Sequence, residues 1–405
     1  MVELEISLLN WMGQDLDEFR LLLNQFEEKN HCQVRVRVLG WETVYSDLVN
    51  FALHEEGPDI SEVGTTWISS LLGMRVLRPF TNHEVTALRG SSPFLHSAWQ
   101  TCLGSGSNQV WAIPRLVDMR AIYYRRNLLE KAGVDEHTAF LSHQQFIQTL
   151  KRIQESGVEN PIVFPTRNII SPSIHFLASW IWSAGGHILS EDGKSCLLNS
   201  QESRAGIREH LELGQYLSPV VRNLDPYQAD DFFWNGDAAV ALTFRTPILS
   251  HLESSVGQQL MPHIGAAPVL DNTFIGGTNH VVWKHVSPAK ERLVLKLLQF
   301  FSDSQSQGLI SKSCGLFPPR EDRLTVEPFT DPFYDKILAG IRSGRSFRPV
   351  RGWGKLEEQL LYMLSRLWET VMSESHVDLT EIVTQRTEDL KRRIDSILIS
   401  YHRDF

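Results

Sequence analysis

Hydrophobic and polar positions alternate at the start of the chain in a pattern that is typical of β-strands. Val2, Leu4, Ile6 and Leu8 occupy every second position, and residues 34–38 repeat the alternation with valines and arginines. A period of two places successive side chains on opposite faces of a sheet. The pattern therefore predicts a strand at each of these two places.

The segment between the two strands has a helical period instead. Asp15 and Glu18 form a predicted cap pair at its start. Four apolar side chains line one face of this helix: Leu16, Phe19, Leu23 and Phe26. A helix over 41–53, a turn at 57–59 and a short strand over 60–63 follow. Strand, helix and strand in this order predict a parallel sheet with right-handed crossovers, and hence an α/β lobe.

A second α/β region is predicted after residues 111–114. Ser287 and Pro288 are expected to begin one of its later helices, and Asp378 and Glu381 to cap the last one. The predicted elements are a strand over 121–124, helices over 128–132 and 142–154, mixed segments at 180–186, 205–216 and 238–243, and helices over 288–301, 356–371 and 379–397.

Length and charge limit the class of protein. A chain of 405 residues can form two to three domains with sizeable cores. Its 39 Lys and Arg against 48 Asp and Glu give a formal net charge of −9. This excess of acidic residues argues against sequence-independent binding of nucleic acid, which needs a basic surface. No apolar run approaches the roughly 18 residues that a bilayer span requires, so a transmembrane protein is excluded.

The N-terminus and the cysteines leave the compartment open. Met1 directly precedes the first predicted strand, without a basic and apolar leader. The protein is therefore expected in the cytoplasm, or the sequence lacks a leader that directs it to the periplasm or cell exterior, where a lipid anchor is one means of retention. The four cysteines match no zinc or redox spacing, so we expect unconnected, mostly buried thiols at Cys32, Cys102, Cys196 and Cys314.

No motif of a catalytic or metal-binding site is found. The chain has no G-x-S-x-G, Walker A, H-E-x-x-H or C-x-x-C pattern. The GSGS segment at 104–107 lacks the lysine of a phosphate loop and is expected to be a surface loop. The sequence therefore predicts no catalytic residues, no metal ligands and no cofactor.

Tryptophans at loop positions are the strongest candidates for a binding site. Trp11, Trp41 and Trp67 follow the first three predicted strands, and Trp182 and Trp353 lie beside glycines. In open α/β sheets, ligands bind beyond the carboxyl ends of the strands. An indole face there can stack on the C–H side of a sugar ring, although each tryptophan alone could equally fill the core. We expect at least two of the five to be stacking platforms.

Several short motifs occur in one order along almost the whole chain. They are GPDI at 57–60, VGTTW at 63–67, IPRLVDMRAIYYRRNLL at 113–129, WSAGG at 182–186, FWNGDAA at 233–239, FIGGTN at 274–279 and GLFPPR at 315–320. This ordered combination resembles the extracellular solute-binding proteins of sugar importers, the maltose-binding-protein-like group.

The resemblance implies a class II periplasmic-binding-protein fold, α/β in class, whose two hinged lobes close on a ligand. Lobe 1 would comprise residues 1–113 and 271–317, and lobe 2 residues 114–270 and 318–405, with crossings near 114, 268 and 318. It further implies a monomeric, non-enzymatic protein that captures a carbohydrate and delivers it to the permease of an ABC transporter. A sugar-sensing domain of a receptor and a carbohydrate-active hydrolase are the alternatives.

The resemblance also assigns residues to the cleft. Asp118 corresponds to the family's acidic residue that hydrogen-bonds sugar hydroxyls, and Thr66 to a polar contact in lobe 1. His175 and Arg245 stand where the family often has aromatic residues, which leaves the identity of the sugar open. The predicted glycines, which are Gly185, Gly276 and Gly277, would let a ligand approach backbone N–H groups, or they would form tight turns. The full expected set is Trp11, Gln14, Trp41, Thr66, Trp67, Asp118, Arg120, His175, Trp182, Gly185, Arg245, Gly276, Gly277, Asn279, Arg351 and Trp353.

Four arginines near the expected cleft bear on the charge of the ligand. Arg115, Arg120, Arg245 and Arg351 could each bind a carboxylate or phosphate with two hydrogen bonds. Salt bridges that close the lobes, or hydrogen bonds to neutral hydroxyls, are the alternative, and the one we favour. Because the net charge of −9 opposes anionic ligands at long range, we expect a neutral mono- or oligosaccharide first and an acidic sugar second.

Overall fold

The computed structural model describes residues 2–11, 16–41, 43–104, 108–167, 171–243, 259–347, 350–374 and 377–403. Its strands are β1 (Val2–Leu9), β2 (Cys32–Leu39), β3 (Ile60–Gly64), β4 (Ala112–Met119), β5 (Ala121–Arg125), β6 (Ile162–Val163), β7 (Val240–Thr243), β8 (Ile264–Pro268) and β9 (Ile275–Val282).

Helices pack against both sheets. They are α1 (Leu16–Asn30), α2 (Val44–His54), α3 (Ile68–Gly73), α4 (Asn82–Ala87), α5 (His96–Gln100), α6 (Arg126–Lys131), α7 (His143–Glu155), α8 (Ser171–Ser183), α9 (Gln201–Glu212), α10 (Pro226–Trp234), α11 (Pro288–Ser302), α12 (Ser304–Cys314), α13 (Asp335–Ser343), α14 (Trp353–Ser373) and α15 (Leu379–Arg403). Short 3-10 helices lie at Leu213–Tyr216, Pro219–Val221, Met261–His263, Glu321–Arg323 and Pro332–Tyr334.

The first sheet has the strand order β2-β1-β3-β9-β4. Strand β1 is parallel to β2 and to β3, as the sequence predicts, while β9 is antiparallel to both of its neighbours, β3 and β4. The three parallel strands therefore end at one edge of the sheet, and the chain leaves each of them close to a tryptophan. This topology brings Trp11, Trp41 and Trp67 to the same edge.

The second sheet has the order β6-β7-β5-β8, with β5 antiparallel to β7 and β8. Only Arg120 separates β4 of the first sheet from β5 of the second. The sequence pattern did not predict β4, and it placed a crossing near Pro114 inside this strand. All eight residues of β4 are buried, and a strand buried on both faces lacks the alternation by which strands are found in a sequence.

Each sheet has its own hydrophobic core. The four cysteines are free and buried, as expected, and burial raises the pKa of the Cys196 thiol to about 11. Ser287 does precede α11 with Pro288 at its first turn, but its side chain makes no capping hydrogen bond. Asp378 accepts from the backbone N–H of Glu381, so the predicted cap of the last helix is confirmed. Within the described residues, no helix is long and apolar enough to span a membrane.

A buried histidine in the second core makes the stability of the protein sensitive to acid. The ring of His210 lies among Trp180, Trp368 and Phe164, with centroid distances of 5.0, 5.5 and 6.3 Å. Burial, assisted by the neighbouring His143, lowers the pKa of His210 to about 3. The folded protein therefore keeps this ring neutral under conditions in which the unfolded chain takes up a proton.

We expect the free energy of unfolding to fall by about 2 kcal/mol on this account between about pH 7 and pH 5. The neutral His210 ring makes its full contribution to stability above about pH 6.5, the pKa of a histidine in the unfolded chain. This contribution is lost as the pH falls toward the pKa of His210 in the folded protein. Urea unfolding at several pH values checks the slope. The His210→Met variant should lose this part of the slope, whereas replacing the exposed His83 by glutamine should not. An unchanged slope in His210→Met contradicts the prediction.

Candidate functional site

An aromatic wall lies at the carboxyl edge of the first sheet. Trp11 contacts Trp41 edge to face with ring centroids 4.8 Å apart, and Trp41 lies 6.2 Å from Trp67. Tyr45 of α2 adds a fourth ring, 6.0 Å from that of Trp67. The side chain of Trp41 remains 43% exposed, so this part of the wall is accessible from solvent and is not covered by the hydrophobic core. Three of the five predicted tryptophans are thus brought together.

The buried Glu62 of β3 holds the aromatic wall in place through hydrogen bonds. Its carboxylate accepts hydrogen bonds from the backbone N–H of Leu9 at 2.9 Å, from Trp11 Nε1 at 3.0 Å and from Thr278 Oγ1 at 2.7 Å. It also accepts from Arg115 Nη1 at 2.7 Å, and both side chains of this ion pair are 0% exposed. Glu62 therefore orients the Trp11 indole while it compensates a buried cation.

The pairing with Glu62 decides the role of Arg115. Burial by itself would lower the pKa of Arg115, but the nearby Glu62 and Cys314 outweigh it and raise that pKa. A fully buried, paired guanidinium is not available to a ligand. Because the pair joins β4 to β3 within the first sheet, this arginine stabilises one lobe, and neither the predicted contact with a ligand nor a salt bridge between the lobes is what the geometry supports.

A second group of rings lies on the other lobe. His175 stacks on Phe274 with centroids 3.8 Å apart, and Trp182 lies 6.2 Å from the same phenyl ring at an interplanar angle of 17°. Phe347 contacts Phe274 at 4.8 Å and Trp353 at 4.4 Å. The remaining two predicted tryptophans, Trp182 and Trp353, thus belong to one cluster together with the predicted His175.

A buried chain of charged and polar groups ends at this second cluster. Arg120 Nη2 lies 2.7 Å from Asp118 Oδ2, and the same guanidinium donates to His175 Nδ1 at 3.2 Å. Burial raises the pKa of Asp118, although Arg120 opposes this shift. Burial and the Arg120 charge lower the pKa of His175 well below its ordinary value. The imidazole is therefore neutral at physiological pH.

The tautomer of His175 follows from these contacts. Because Nδ1 accepts from Arg120, the hydrogen of the neutral ring resides on Nε2. Within the described residues, neither His175 Nε2 nor Trp353 Nε1 finds a hydrogen-bond partner, although both side chains are buried. A buried N–H group without a partner costs free energy. These two N–H groups are therefore suited to donate hydrogen bonds to oxygen atoms of a ligand.

The two aromatic groups meet where the lobes adjoin. Gly354, directly after Trp353, faces the first lobe: a Cβ at this position would lie 3.3 Å from Tyr45 Oη and 3.7 Å from Ser70 Oγ. Tyr45 in turn belongs to the wall around Trp67. The structure therefore brings the start of α14, which carries Trp353, close to Tyr45 of the wall.

The predicted glycines have packing roles in the structure. Gly277, with φ of 130°, pairs with Val117 in β4, and a Cβ there would lie 2.1 Å from the Leu116 carbonyl oxygen. A Cβ at Gly276 would lie 2.6 Å from the Phe274 ring. Gly185, with φ of 82°, donates to the Trp182 carbonyl in the turn after α8. A contact between these backbones and a ligand stays a prediction.

The other predicted residues are distributed around the junction. Thr66 is half-buried beside Trp67, whereas Asn279 is buried in the sheet and donates to Thr101 Oγ1 at 2.9 Å. Arg351 is exposed and lines a cavity beside α3. Gln14 and Arg245 lie outside the described residues. Within those residues, no group of three or more His, Cys, Asp or Glu side chains could hold a metal ion.

Sequence reasoning missed four residues of the site. Phe274 and Phe347 join the second cluster, Tyr45 extends the wall, and Glu62 supports it. Tyr45 stands four positions after Trp41 at the start of a helix, which is a detectable helical spacing. Glu62 is a charged residue in a short strand between the apolar Ile60 and Val63, and a charge at such a place is the signal that could have identified it.

Comparisons with known proteins agree with this architecture. A family model described as bacterial extracellular solute-binding protein matches residues 13–308. The diacetylchitobiose binding protein DasA of Streptomyces coelicolor is 23% identical in an alignment of 328 positions that covers 76% of this chain and 72% of that protein.

Two solved structures have nearly the same fold over the whole chain. The sugar-binding protein MalE from Xanthomonas citri has a TM-score of 0.80 at 18% identity, over 100% of this chain and 99% of that one. An ABC transporter solute-binding protein from Thermotoga lettingae, bound with α-D-tagatose, also has a TM-score of 0.80 at 18% identity, over 98% and 100% of the two chains. The predicted two-lobed binding-protein fold is thereby confirmed.

Proposed function

Because the chain belongs to the bacterial extracellular solute-binding protein family, we propose that it captures a carbohydrate between its lobes and delivers it to the permease of an ABC transporter. The observation that carries the proposal is the pair of aromatic clusters from the two lobes that meet at the junction of Gly354 and Tyr45. The relative named for diacetylchitobiose and the similar structure bound with α-D-tagatose support a carbohydrate as the class of ligand. The protein would act outside the cytoplasm and without catalysis.

The binding chemistry divides between stacking and hydrogen bonding. The Trp11 and Trp41 wall and the Trp182 cluster offer flat apolar faces to the C–H sides of sugar rings. His175 Nε2–H and Trp353 Nε1–H would donate to sugar oxygens, since they lack partners in the described part of the chain. The Asp118 carboxylate, held by Arg120, would accept from a hydroxyl.

We place the hinge at the points where the chain passes between the sheets. The first is Arg120, between β4 and β5, and the second is 269–274, between β8 and β9. The third follows Phe317, whose backbone pairs with Val117 of the first sheet. Ligand binding would select the closed arrangement of the lobes by contacting aromatic faces on both.

A melting screen with sugars tests the proposed function. Neutral, amino, acidic and phosphorylated mono- and oligosaccharides are each added to the whole chain. A ligand that binds only the folded protein adds RT ln(1 + [L]/Kd), about 2.7 kcal/mol at one hundred times Kd. At least one sugar should raise the melting temperature by several degrees. The absence of any shift, or turnover of an oligosaccharide by the protein, contradicts the proposal.

Replacement of Asp118 should weaken sugar binding. We expect Asp118→Ala to cost about 1–3 kcal/mol in affinity for the sugar found in the screen, the range for leaving buried polar partners unpaired. Titration calorimetry measures the change, after a melt shows that the variant folds. Asp389→Ala, at an exposed carboxylate paired with Arg392 on α15, is the control and should bind normally. Unchanged affinity in Asp118→Ala removes this residue from the site.

A further inference from the structure

A basic groove runs beside α3, next to the junction of the lobes. It has a volume of about 470 Å³ and is lined by Ser69, Leu72, Arg75, Leu77, Arg78, Pro79, Gly104, Trp111, Lys284 and Arg351. All of these except Arg351 belong to segments packed on the first sheet, whereas Arg351 directly precedes α14 on the other lobe. Both lobes therefore contribute to the groove.

The charge of the groove is opposite to that of the chain. Four of its lining residues are basic and none is acidic, in a protein whose formal net charge is −9. Arg78 is fixed by an ion pair with Glu84 and lies 3.7 Å from Glu291. Clustered cations in a concave site focus the field locally, so the groove attracts an anion that the net charge would repel at long range.

The backbone at Arg75 shows that a cation is kept at a strained position. Helix α3 ends at Gly73, and Arg75 shortly after it has φ of 60°. Glycine is the favoured residue for this left-handed conformation after a helix, because a Cβ there is strained. An arginine at such a place gives up some stability, which is a common property of residues at ligand sites.

Two lining residues of the groove are close in sequence to the aromatic clusters. Ser69 lies two residues after Trp67 of the wall, and Arg351 two residues before Trp353 of the second cluster. Trp111, Leu72 and Leu77 give the groove an apolar side of its own. Ser69 also adjoins Ser70, which faces Gly354 at the junction, so the groove begins beside the junction.

We propose that the ligand is an acidic oligosaccharide, with its sugar rings on the aromatic clusters and a carboxylate or sulfate group in the basic groove. This inference rests on the proposed function and specifies its substrate class. It reverses the preference for neutral sugars that the net charge suggested, because a ligand responds to the charges nearest its binding site more than to the total. Arg75, Lys284 and Arg351 supply the charge-assisted hydrogen bonds.

Matched pairs of sugars test the proposal. Cellobiouronic acid is compared with cellobiose, and digalacturonic acid with galactobiose, by calorimetry at about 0.02 M and 0.5 M salt. In at least one pair, the acidic sugar should bind at least about tenfold more tightly at low salt, and high salt should reduce this preference. Free glucuronate and inorganic sulfate are titrated as well, to separate recognition of a sugar acid from simple anion binding.

Arg75→Gly is the decisive variant. It removes the guanidinium and relieves the left-handed strain, and a melt checks that the variant folds before its binding is measured. The preference for the acidic sugar should fall toward one in this variant and in Lys284→Gln, while the affinity for the neutral sugar is retained. Lys151→Gln, at an exposed lysine of α7, should keep the full preference.

Each contrary result overturns a defined part of the proposal. If acidic sugars bind no more tightly than their neutral partners in either pair, the assignment of the groove is wrong while the sugar-binding function stands. A preference that survives in Arg75→Gly and Lys284→Gln also excludes the groove. If inorganic sulfate alone binds as tightly as the acidic sugars, the groove is an anion site unconnected with sugars. If no sugar of either kind binds, the proposed function fails as well.

Discussion

The Glu62→Ala variant is expected to be about 3–5 kcal/mol less stable than the natural chain. The substitution leaves the Arg115 guanidinium without its carboxylate at a position where both side chains are 0% exposed. It also removes the acceptor of the Leu9 N–H and the Thr278 hydroxyl. An uncompensated buried cation is among the most costly defects in a protein core.

Urea unfolding monitored by tryptophan fluorescence measures this effect. Trp11 loses its hydrogen bond to Glu62 in the variant, so the emission of the folded state should change as well. Glu369→Ala provides the control, because its pair with Arg366 is exposed and should contribute at most about 1 kcal/mol. A loss of less than this amount in Glu62→Ala would show that the buried pair does not hold the first lobe together.

Phe274→Ala is expected to destabilise the second lobe by about 3–5 kcal/mol. The ring is 1% exposed and contacts His175, Trp182 and Phe347, so alanine leaves a cavity at the centre of the cluster. Phe274→Leu fills most of this space and should cost clearly less. Thermal and urea unfolding of the two variants give the comparison.

The same variants connect the cluster to ligand binding. Phe274 supports the faces of His175 and Trp182, so Phe274→Ala should weaken the binding of the sugar found in the melting screen, and Phe274→Leu should weaken it less. Affinity that is equal in both variants and in the natural chain would show that the second cluster is only a core. In that case, the aromatic wall around Trp41 would be left as the stacking surface.

The sequence by itself determined the three parallel strands of the first sheet and the class of the protein. The alternation at Val2–Leu9 and the helical period after it predicted parallel strands that the structure contains. The strand ends located Trp11, Trp41 and Trp67 at one edge because parallel strands end together. These predictions succeeded because periodicity along a strand or helix is a property of neighbouring residues.

The tertiary structure alone decided which side chains meet. The pair of Glu62 and Arg115 joins residues 53 positions apart, and the hydrogen bond from Phe274 N to Ser179 Oγ spans 95 positions. No local pattern encodes such contacts, so the sequence could not tell a buried, neutralised Arg115 from Arg351 in the basic groove. Burial and partner choice depend on how distant segments pack, and these determine whether an arginine is enclosed in the fold, as Arg115 is, or exposed, as Arg351 is.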